Sequence, residues 1–489
     1  MKRNVLAIDI GASNGRAVIG AFDGEAIGLR EIHRFDNEPV VLNGTLYWDV
    51  LRLVREIKQS LRLASAVAEI DSVAVDTWGV DFGALDGKGN LMANPVHYRD
   101  GRTAGMYAKA LLKIGREEFY DITGVQFMEI NTVFQLLALA EFDPDFLART
   151  GCVLMMPDLF HYFLCGAKVA EISNASTSQL LDVRNKTWSR ALLDRLGLPS
   201  KILPELVKSG TIVGTLKGEI CEELGVKPIK VIAVAGHDTQ SAMAATPTRA
   251  DDFLFLSCGT WSLLGTELDA PQLGAKALEL NITNEIGFDG KVSFLKNIVG
   301  LWVLQECRRQ WAGEGVEYGF AELNLLANDA HPFACFIDPD DPVFLPPGNM
   351  PERIREYCRK TGQKAPCDEG EIVRCVNESL AMKHRVTADK IAECTGRQYD
   401  TLHMLGGGTK SEALCQMTAG ACGISVMAGP VEATILGNIA AQLIALGEVE
   451  NLRSAREIIG NSSEVVVYKP QQTNDWERAY KKFLEVTSC

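Results

Sequence analysis

The segment VIAVAGHDTQSAM (231–243) carries an apolar run straight into His237 and Asp238, and a small-residue, helix-like stretch resumes behind them. An ionised carboxylate at such a point can accept a hydroxyl proton while that oxygen attacks a γ-phosphate. An aspartate ahead of a helix is also a good N-cap, and the helix N-terminus favours its charged form. Capping accounts for Asp238 but leaves His237 unexplained. Chemistry on a polyol accounts for both: His237 bonds a substrate hydroxyl and Asp238 takes the proton.

A γ-phosphate needs a cradle. IDIGASNGR (8–16) ends an apolar run at Asp9, and a loop of Gly11, Ala12, Ser13, Asn14 and Gly15 follows. Converging backbone N–H groups in such a loop can hold phosphate oxygens. Asp9 at the strand end is a candidate for holding Mg2+ through water. SCGTWS (257–262) repeats the composition, with Ser257, Gly259 and Thr260 as candidate phosphate contacts. GGGTKSEA (406–413) has three glycines between a strand and a helix, which permits close approach of backbone to a ligand. It is not a Walker A loop, and no G-x-G-x-x-G occurs. YRD (98–100) lacks the asparagine and the D-F-G that a protein-kinase catalytic loop requires. DTWGVDF (76–82) offers Gly79 for close approach, Asp81 as an acceptor and Trp78 as an apolar wall. YRDGRT (98–103) groups Arg99, Asp100 and Arg102, the mixture common in sugar sites.

Positioning these groups requires mixed α/β elements. NVLAIDI (4–10), RAVIGAF (16–22) and AIGLREIHRF (26–35) read as strands, with GASNG as a hairpin loop. Apolar spacing over 48–68 predicts an amphipathic helix, and 71–82 returns to strand character. The start is thus β-β-β-α-β. Residues 104–230 read as mostly helical, with a buried strand at 230–238. TPTRADD (246–252) marks the boundary between two halves, 1–247 and 248–489. FLFLSCGTWSLLG (253–265) then repeats the N-terminal design, a faint internal repeat. Helices are expected at 301–312, 371–394, 430–447 and over NDWERAYKKFLEVTS, with strand, turn and helix across 402–420.

Composition bounds the rest. The chain has 489 residues, 47% of them hydrophobic, enough for more than one core. A net charge of −14 argues against nucleic acid as the main partner. Asp9 interrupts the N-terminal apolar run too early for a signal peptide, and no run is long enough to cross a membrane. The expected compartment is the cytoplasm. None of the 13 cysteines forms a C-x-x-C, so spacing supports no zinc site. Cys358, Cys367 and Cys375 flank a charged loop, where a local disulfide is an alternative to free thiols.

Taken together, IDIGASNGR, DTWGVDF, YRDGRT, AGHDTQSA, SCGTWSL, ITNEIG, LKNIVGLWVLQ, LGGGTK and AGPVEATILGNI resemble the FGGY carbohydrate kinases over about 4–445. The resemblance implies a two-lobed fold of the actin–hexokinase–chaperone ATPase type, with a ribonuclease-H-like mixed sheet in each lobe. It implies MgATP against the C-terminal lobe, sugar against the N-terminal lobe, and lobe closure that excludes water. The family's base falls on Asp238. Its nucleotide contacts fall on Ala12, Ser13, Asn14, Gly15, Arg16, Thr260, Asn297, Gln305 and Gly407. Its sugar contacts fall on Gly79, His237, Asp238 and Thr239. The narrower resemblance implies phosphorylation of L-rhamnulose at its C1 hydroxyl in rhamnose catabolism. Trp78, Phe82 or Phe134 would meet the sugar methyl group. Asn14 and Cys258 stand where the family pattern has serine. The alternatives are a kinase of L-fuculose, xylulose or glycerol, and a non-kinase ATPase of the same fold. The expected partners are a sugar and ATP, with neither nucleic acid nor membrane, in a monomer or small homo-oligomer.

Overall fold

The computed structural model describes residues 3–487. The chain divides into two compact units. The first comprises Met1–Arg249, Leu268–Phe294 and Ala433–Ser462; the second comprises Ala250–Glu267, Leu295–Glu432 and Ser463–Cys489. After the break at 249, the chain therefore returns to the first unit twice.

The first unit is built on six strands: β1 (Arg3–Ile10), β2 (Asn14–Phe22), β3 (Ile27–Asp36), β4 (Ser72–Thr77), β5 (Thr211–Thr215) and β6 (Lys230–Ala233). Their order is β5-β6-β4-β1-β2-β3. The meander β1-β2-β3 is antiparallel, as the first three apolar runs predict, while β4 runs parallel to β1 and β6 parallel to β4. The loop between β1 and β2 is shorter than GASNG, since Asn14 and Gly15 already pair with β3. The helix Val50–Val67 forms where expected. Asp49 caps it by accepting from the Arg52 N–H, and Val50, Leu53, Ile57, Leu61 and Ala64 bury one face. This face joins Leu6, Ile8, Val73 and Val75 in one core over the sheet.

A second sheet contains β7 (Leu254–Cys258), β8 (Trp261–Leu268), β9 (Thr283–Ile286), β10 (Val292–Val299), β11 (Thr401–Leu405), β12 (Ser425–Ala428) and β13 (Val466–Tyr468), ordered β9-β10-β8-β7-β11-β12-β13. Here β7 and β8 are antiparallel and β11 is parallel to β7. The order β10-β8-β7-β11 echoes β3-β2-β1-β4, so the repeat that is faint in residue identity is plain in topology. The longest helix, Glu369–Thr395, starts at the Asp368 cap and stops at Gly396 in a left-handed conformation. Among the described residues, no helix is long and apolar enough to cross a membrane.

Candidate active site

In the first unit the site is assembled at strand ends. β1 and β4 are in parallel register, with Asp9 opposite Asp76. The next residue, Thr77, bridges to His237, and its N–H donates to the Gly236 carbonyl at 2.9 Å. Sheet pairing thus brings Asp9, Asp76 and the His237–Asp238 pair together from three distant stretches of chain. Asp9 Oδ2 accepts from Arg16 Nε at 3.2 Å and Nη2 at 3.1 Å. Asp76 is fully buried. Its Oδ2 accepts from Asn438 Nδ2 at 2.5 Å, but its Oδ1 has no hydrogen-bond partner. Burial, and then the charges of Asp9 and Asp238, hold the Asp76 carboxyl well above the usual range.

Asp238 is not a helix cap. The cap position of Asp238–Ala244 falls on His237, which makes no side-chain capping bond. Asp238 Oδ1 instead accepts from the adjacent Thr239 N–H at 2.6 Å and Thr239 Oγ1 at 3.3 Å. The helix N-terminus does not hold this carboxyl in the ordinary range. Burial raises it to about 6, with His237 opposing and Asp9 assisting. The Asp238 side chain still keeps 31% of its surface open.

His237 is clamped by Glu285 on β9, which takes Nδ1 at 3.0 Å and also accepts from Gln240 Nε2 at 3.0 Å. With Nδ1–H assigned to that bond, Nε2 faces Asp238 Oδ1 at 3.5 Å. Burial alone would push the imidazole down. Glu285, Asp238 and Glu171 together outweigh it and raise the pKa above its ordinary value. Buried Glu171 fixes the backbone. Its Oε2 accepts from the Gly236 N–H at 2.9 Å and from the Asn174 N–H at 3.1 Å, while Ser173 Oγ accepts from the His237 N–H at 3.3 Å.

The DTWGVDF turn differs from its expected use. Asp81 accepts from Trp48 Nε1, Trp78 Nε1, the Tyr98 N–H and Gln135 Nε2, all within 3.1 Å. It is a buried hub rather than a free acceptor, and burial raises it to about 6. Trp78, Phe82 and Phe134 are also buried, so none forms an open wall. Gly79 remains partly exposed, although a Cβ there would lie 3.0 Å from the Thr177 side chain. Next to it Val80 has φ +66°, an unusual conformation for a β-branched residue. Thr132 Oγ1 and the Thr177 hydroxyl hold this turn from both sides. Arg102 reaches the same network through Gln135 Oε1 at 2.7 Å.

In the loop expected to hold phosphate, Ser13 and Asn14 are exposed and Ala12 and Arg16 are half-buried. Gly15 is buried, and a Cβ there would overlap the Phe35 ring at 2.3 Å, so packing explains it. In the second unit, Thr260 Oγ1 meets Gln305 Oε1 at 3.2 Å. The Leu301 N–H bonds the Gly259 carbonyl and the Gly300 N–H bonds the Thr260 carbonyl, knitting this loop to the start of helix Trp302–Gly313. Gly408 packs onto Cys258, whose Sγ would be 2.2 Å from an added Cβ. Gly407 is exposed with nothing within 4 Å of such a Cβ, and Asn297 on β10 is half-buried.

Residues 4–245 match the N-terminal domain of the FGGY family of carbohydrate kinases, and residues 254–446 match its C-terminal domain. The chain belongs to the FGGY family of carbohydrate kinases. It is 41% identical over 484 residues to a rhamnulokinase of Bacteroides thetaiotaomicron, covering 99% of both chains. It is 40% identical over 487 residues to a rhamnulokinase of Pectobacterium atrosepticum, covering 98% of this chain and 96% of that one. A gluconate kinase from Lactobacillus acidophilus shares its fold, with a TM-score of 0.83 at 15% identity, covering 100% of this chain and 98% of that one. The expected actin/hexokinase-type fold is therefore borne out, and the enzyme is a carbohydrate kinase. The non-kinase ATPase reading falls.

For this FGGY kinase, sequence reasoning missed Asp76, Glu171, Glu285 and Asn438. Asp76 had one signal: Asp9 and Asp76 each close an apolar strand, so pairing those strands in register would have found it. Glu285 and Asn438 lie in ITNEIG and LGNI, but no local pattern links them to His237 or Asp76.

Proposed function

We propose that the enzyme transfers the γ-phosphoryl group of ATP to the C1 hydroxyl of L-rhamnulose, with Asp238 as general base. The observation that carries the substrate is identity near 40% across whole chains to relatives named rhamnulokinase. ATP as donor follows from the family. The partly open Asp238 carboxylate supports the base role. Its oxygen takes the C1 hydroxyl proton, the sugar oxygen bonds to the γ-phosphorus, the bond to the β-phosphate oxygen breaks, and ADP leaves. His237, anchored by Glu285, directs Nε2 toward Asp238 and the hydroxyl it activates. Thr239 supports the carboxylate, and Gly79 allows the sugar to approach.

Ser13 and Asn14, with the loop N–H groups from Ala12 to Arg16, are assigned to phosphate oxygens. Thr260, Asn297, Gln305 and exposed Gly407 are assigned to the nucleotide. The lobe roles proposed are sugar for the first unit and nucleotide for the second, with the expected split at 247/248 replaced by the unit bounds given above. A Mg2+ ion fits the donor set in the first unit: the charges of Asp9 and Asp238 help raise the Asp76 carboxyl, a repulsion that a cation would relieve, and buried Asp76 Oδ1 is unpartnered. Hydrated Mg2+ suits carboxylates reached through water. When bound, it would neutralise charge on the phosphoryl oxygens.

Coupled ADP release with MgATP tests this reading against L-rhamnulose, L-fuculose, D-xylulose, L-ribulose and glycerol. A clear preference in kcat/KM for L-rhamnulose is expected. Preference for another acceptor would move the substrate and keep the chemistry.

A further inference from the structure

The turn between β1 and β2 makes only one of the two backbone bonds open to it. The Gly11 N–H donates to the Asn14 carbonyl at 2.9 Å. A tight hairpin turn ordinarily adds the return bond, here from the Asn14 N–H to the Gly11 carbonyl. That carbonyl instead accepts from Asn37 Nδ2 at 2.8 Å, from the residue just past β3. The Asn37 N–H donates to the Ser13 carbonyl at 3.0 Å. Among the described residues, no hydrogen-bond partner takes the N–H of Ala12 or of Asn14.

Asn37 is 3% exposed, although Asp36 and Glu38 on either side of it are exposed. Its backbone bond continues the β2–β3 ladder past the Asn14–Asp36 pair, and any residue but proline could make it. The side-chain bond is different. It reaches across the start of β2 to the end of β1 and needs an amide donor there. Burial demands only that the amide find some acceptor. This amide takes the one carbonyl that the turn would otherwise use to close itself.

A planar trans peptide unit points its N–H opposite to its C=O. The Gly11 carbonyl shares a unit with the Ala12 N–H, and the Ser13 carbonyl shares one with the Asn14 N–H. With both carbonyls turned to Asn37, both N–H groups face away from it. Ala12 is half-buried and Asn14 exposed, so an anion can reach them. Neighbouring N–H groups freed in this way make an anion-binding concavity.

We propose that Asn37 is the positioning residue of this loop: by holding the Gly11 carbonyl it keeps the turn open and leaves the Ala12 and Asn14 N–H groups to the β- and γ-phosphate oxygens of ATP. The role rests on the reading of residues 12–16 as a phosphate contact. Asn37 itself touches no substrate. Without its amide, the Gly11 carbonyl is free to take back the Asn14 N–H.

Asn37→Leu and Asn37→Asp remove the donor at nearly constant volume, the first without adding charge. Calorimetric titration of the full chain with MgATP and with AMP, in the absence of sugar, measures the effect. AMP lacks the β- and γ-phosphates. Loss of a charge-assisted hydrogen bond is expected to weaken ATP binding by about 10-fold or more in both variants, with AMP affinity unchanged. In coupled assays KM for ATP rises and KM for the acceptor sugar stays at the wild-type value. A residue that served only the fold would lower Tm and leave the ATP affinity of the folded protein unchanged, and that result overturns the proposal. Ser13→Asp sets a carboxylate against phosphate at an exposed position of the same loop. Weaker ATP binding in Ser13→Asp, with normal binding in both Asn37 variants, overturns the role of Asn37 and keeps the loop as a phosphate site. Normal binding in all three removes both. Because a change at a buried residue can also unfold the chain, a crystal structure of the wild type with a nonhydrolysable MgATP analogue gives an independent reading. Ala12 and Asn14 nitrogens about 3 Å from phosphate oxygens, with Asn37 still on the Gly11 carbonyl, are expected. A turn closed by the Asn14 N–H on the Gly11 carbonyl in that complex overturns the proposal.

Discussion

Asp238 and His237 show how far residue chemistry depends on placement. A carboxylate at a helix start is expected to ionise easily, but burial wins here and lifts Asp238 to about 6. That value suits a base, because the group is still ionised at neutral pH and is a stronger proton acceptor than an ordinary aspartate. Asp238→Asn is expected to keep the fold and ATP binding while lowering kcat by about 10²–10⁴-fold, measured by coupled ADP release. Near-normal turnover would remove the base assignment. The pH profile follows from the same group. With Asp238 as the proposed base the active form is the ionised one, so kcat/KM in the wild type should fall as pH drops through about 6. Steady-state rates between pH 5 and 8 check this, and a flat profile over that range would count against Asp238.

At the scale of elements, glycines decide how closely the supports approach. Helix Ala433–Ala445 packs against helix Asp238–Ala244, and a Cβ on Gly437 would lie 1.8 Å from the Ser241 carbonyl oxygen. Gly437→Ala must push the helix that begins with Asp238 out of place. A loss of about 1–3 kcal/mol is expected, read as a lower urea midpoint, together with reduced kcat. In the glycine loop after β11, a packing contact and the proposed nucleotide contact fall on adjacent residues. Gly408→Ala would clash with Cys258, whereas Gly407→Ala enters open space. Gly408→Ala should therefore lower Tm, while Gly407→Ala should leave Tm near wild type and raise KM for ATP. Thermal melts and ATP titrations of the pair distinguish the two roles. The sequence showed three glycines in a row but not which one packs, because that depends on Cys258, about 150 residues earlier.

For the molecule as a whole, buried ionisable groups pull stability in opposite directions. Burial holds Asp76 and Asp158 well above the usual range and raises Asp81 to about 6. Native carboxyls raised in this way bind protons that the unfolded chain releases, so their contribution falls as pH rises. Buried His97, His161 and His384 are lowered to about 3, 4 and 3, and their contribution rises with pH up to the ordinary imidazole range. Replacing one carboxyl exposes one side of this balance. Asp76→Asn should gain stability relative to wild type as pH rises from 5 to 8 in metal-free buffer. Urea midpoints of both proteins at the two ends give the difference, and a constant gap would show that Asp76 keeps its ordinary carboxyl behaviour in the native state.

The sequence by itself determined what depends on neighbours along the chain. Residue periodicity set the three opening strands, the helix after them and the strand that follows, though it missed the short strands Val40–Leu42 and Thr45–Tyr47. The apolar run ending in Asp9 marked a strand end, whereas the run before Asp238 is strand only as far as Ala233, and glycine clusters marked loops. The combined motifs were specific enough to indicate the family. Tertiary structure alone decided which strand ends meet, because pairing of β1 with β4 and of Thr77 with His237 depends on sheet register rather than local pattern. It also turned Asp81 from a free acceptor into a buried hub, supplied Glu171 and Glu285 as the anchors of the His237–Asp238 segment, and gathered Cys335, Cys358 and Cys375. Each of these depends on contacts between residues far apart in the chain, which packing selects and spacing does not encode.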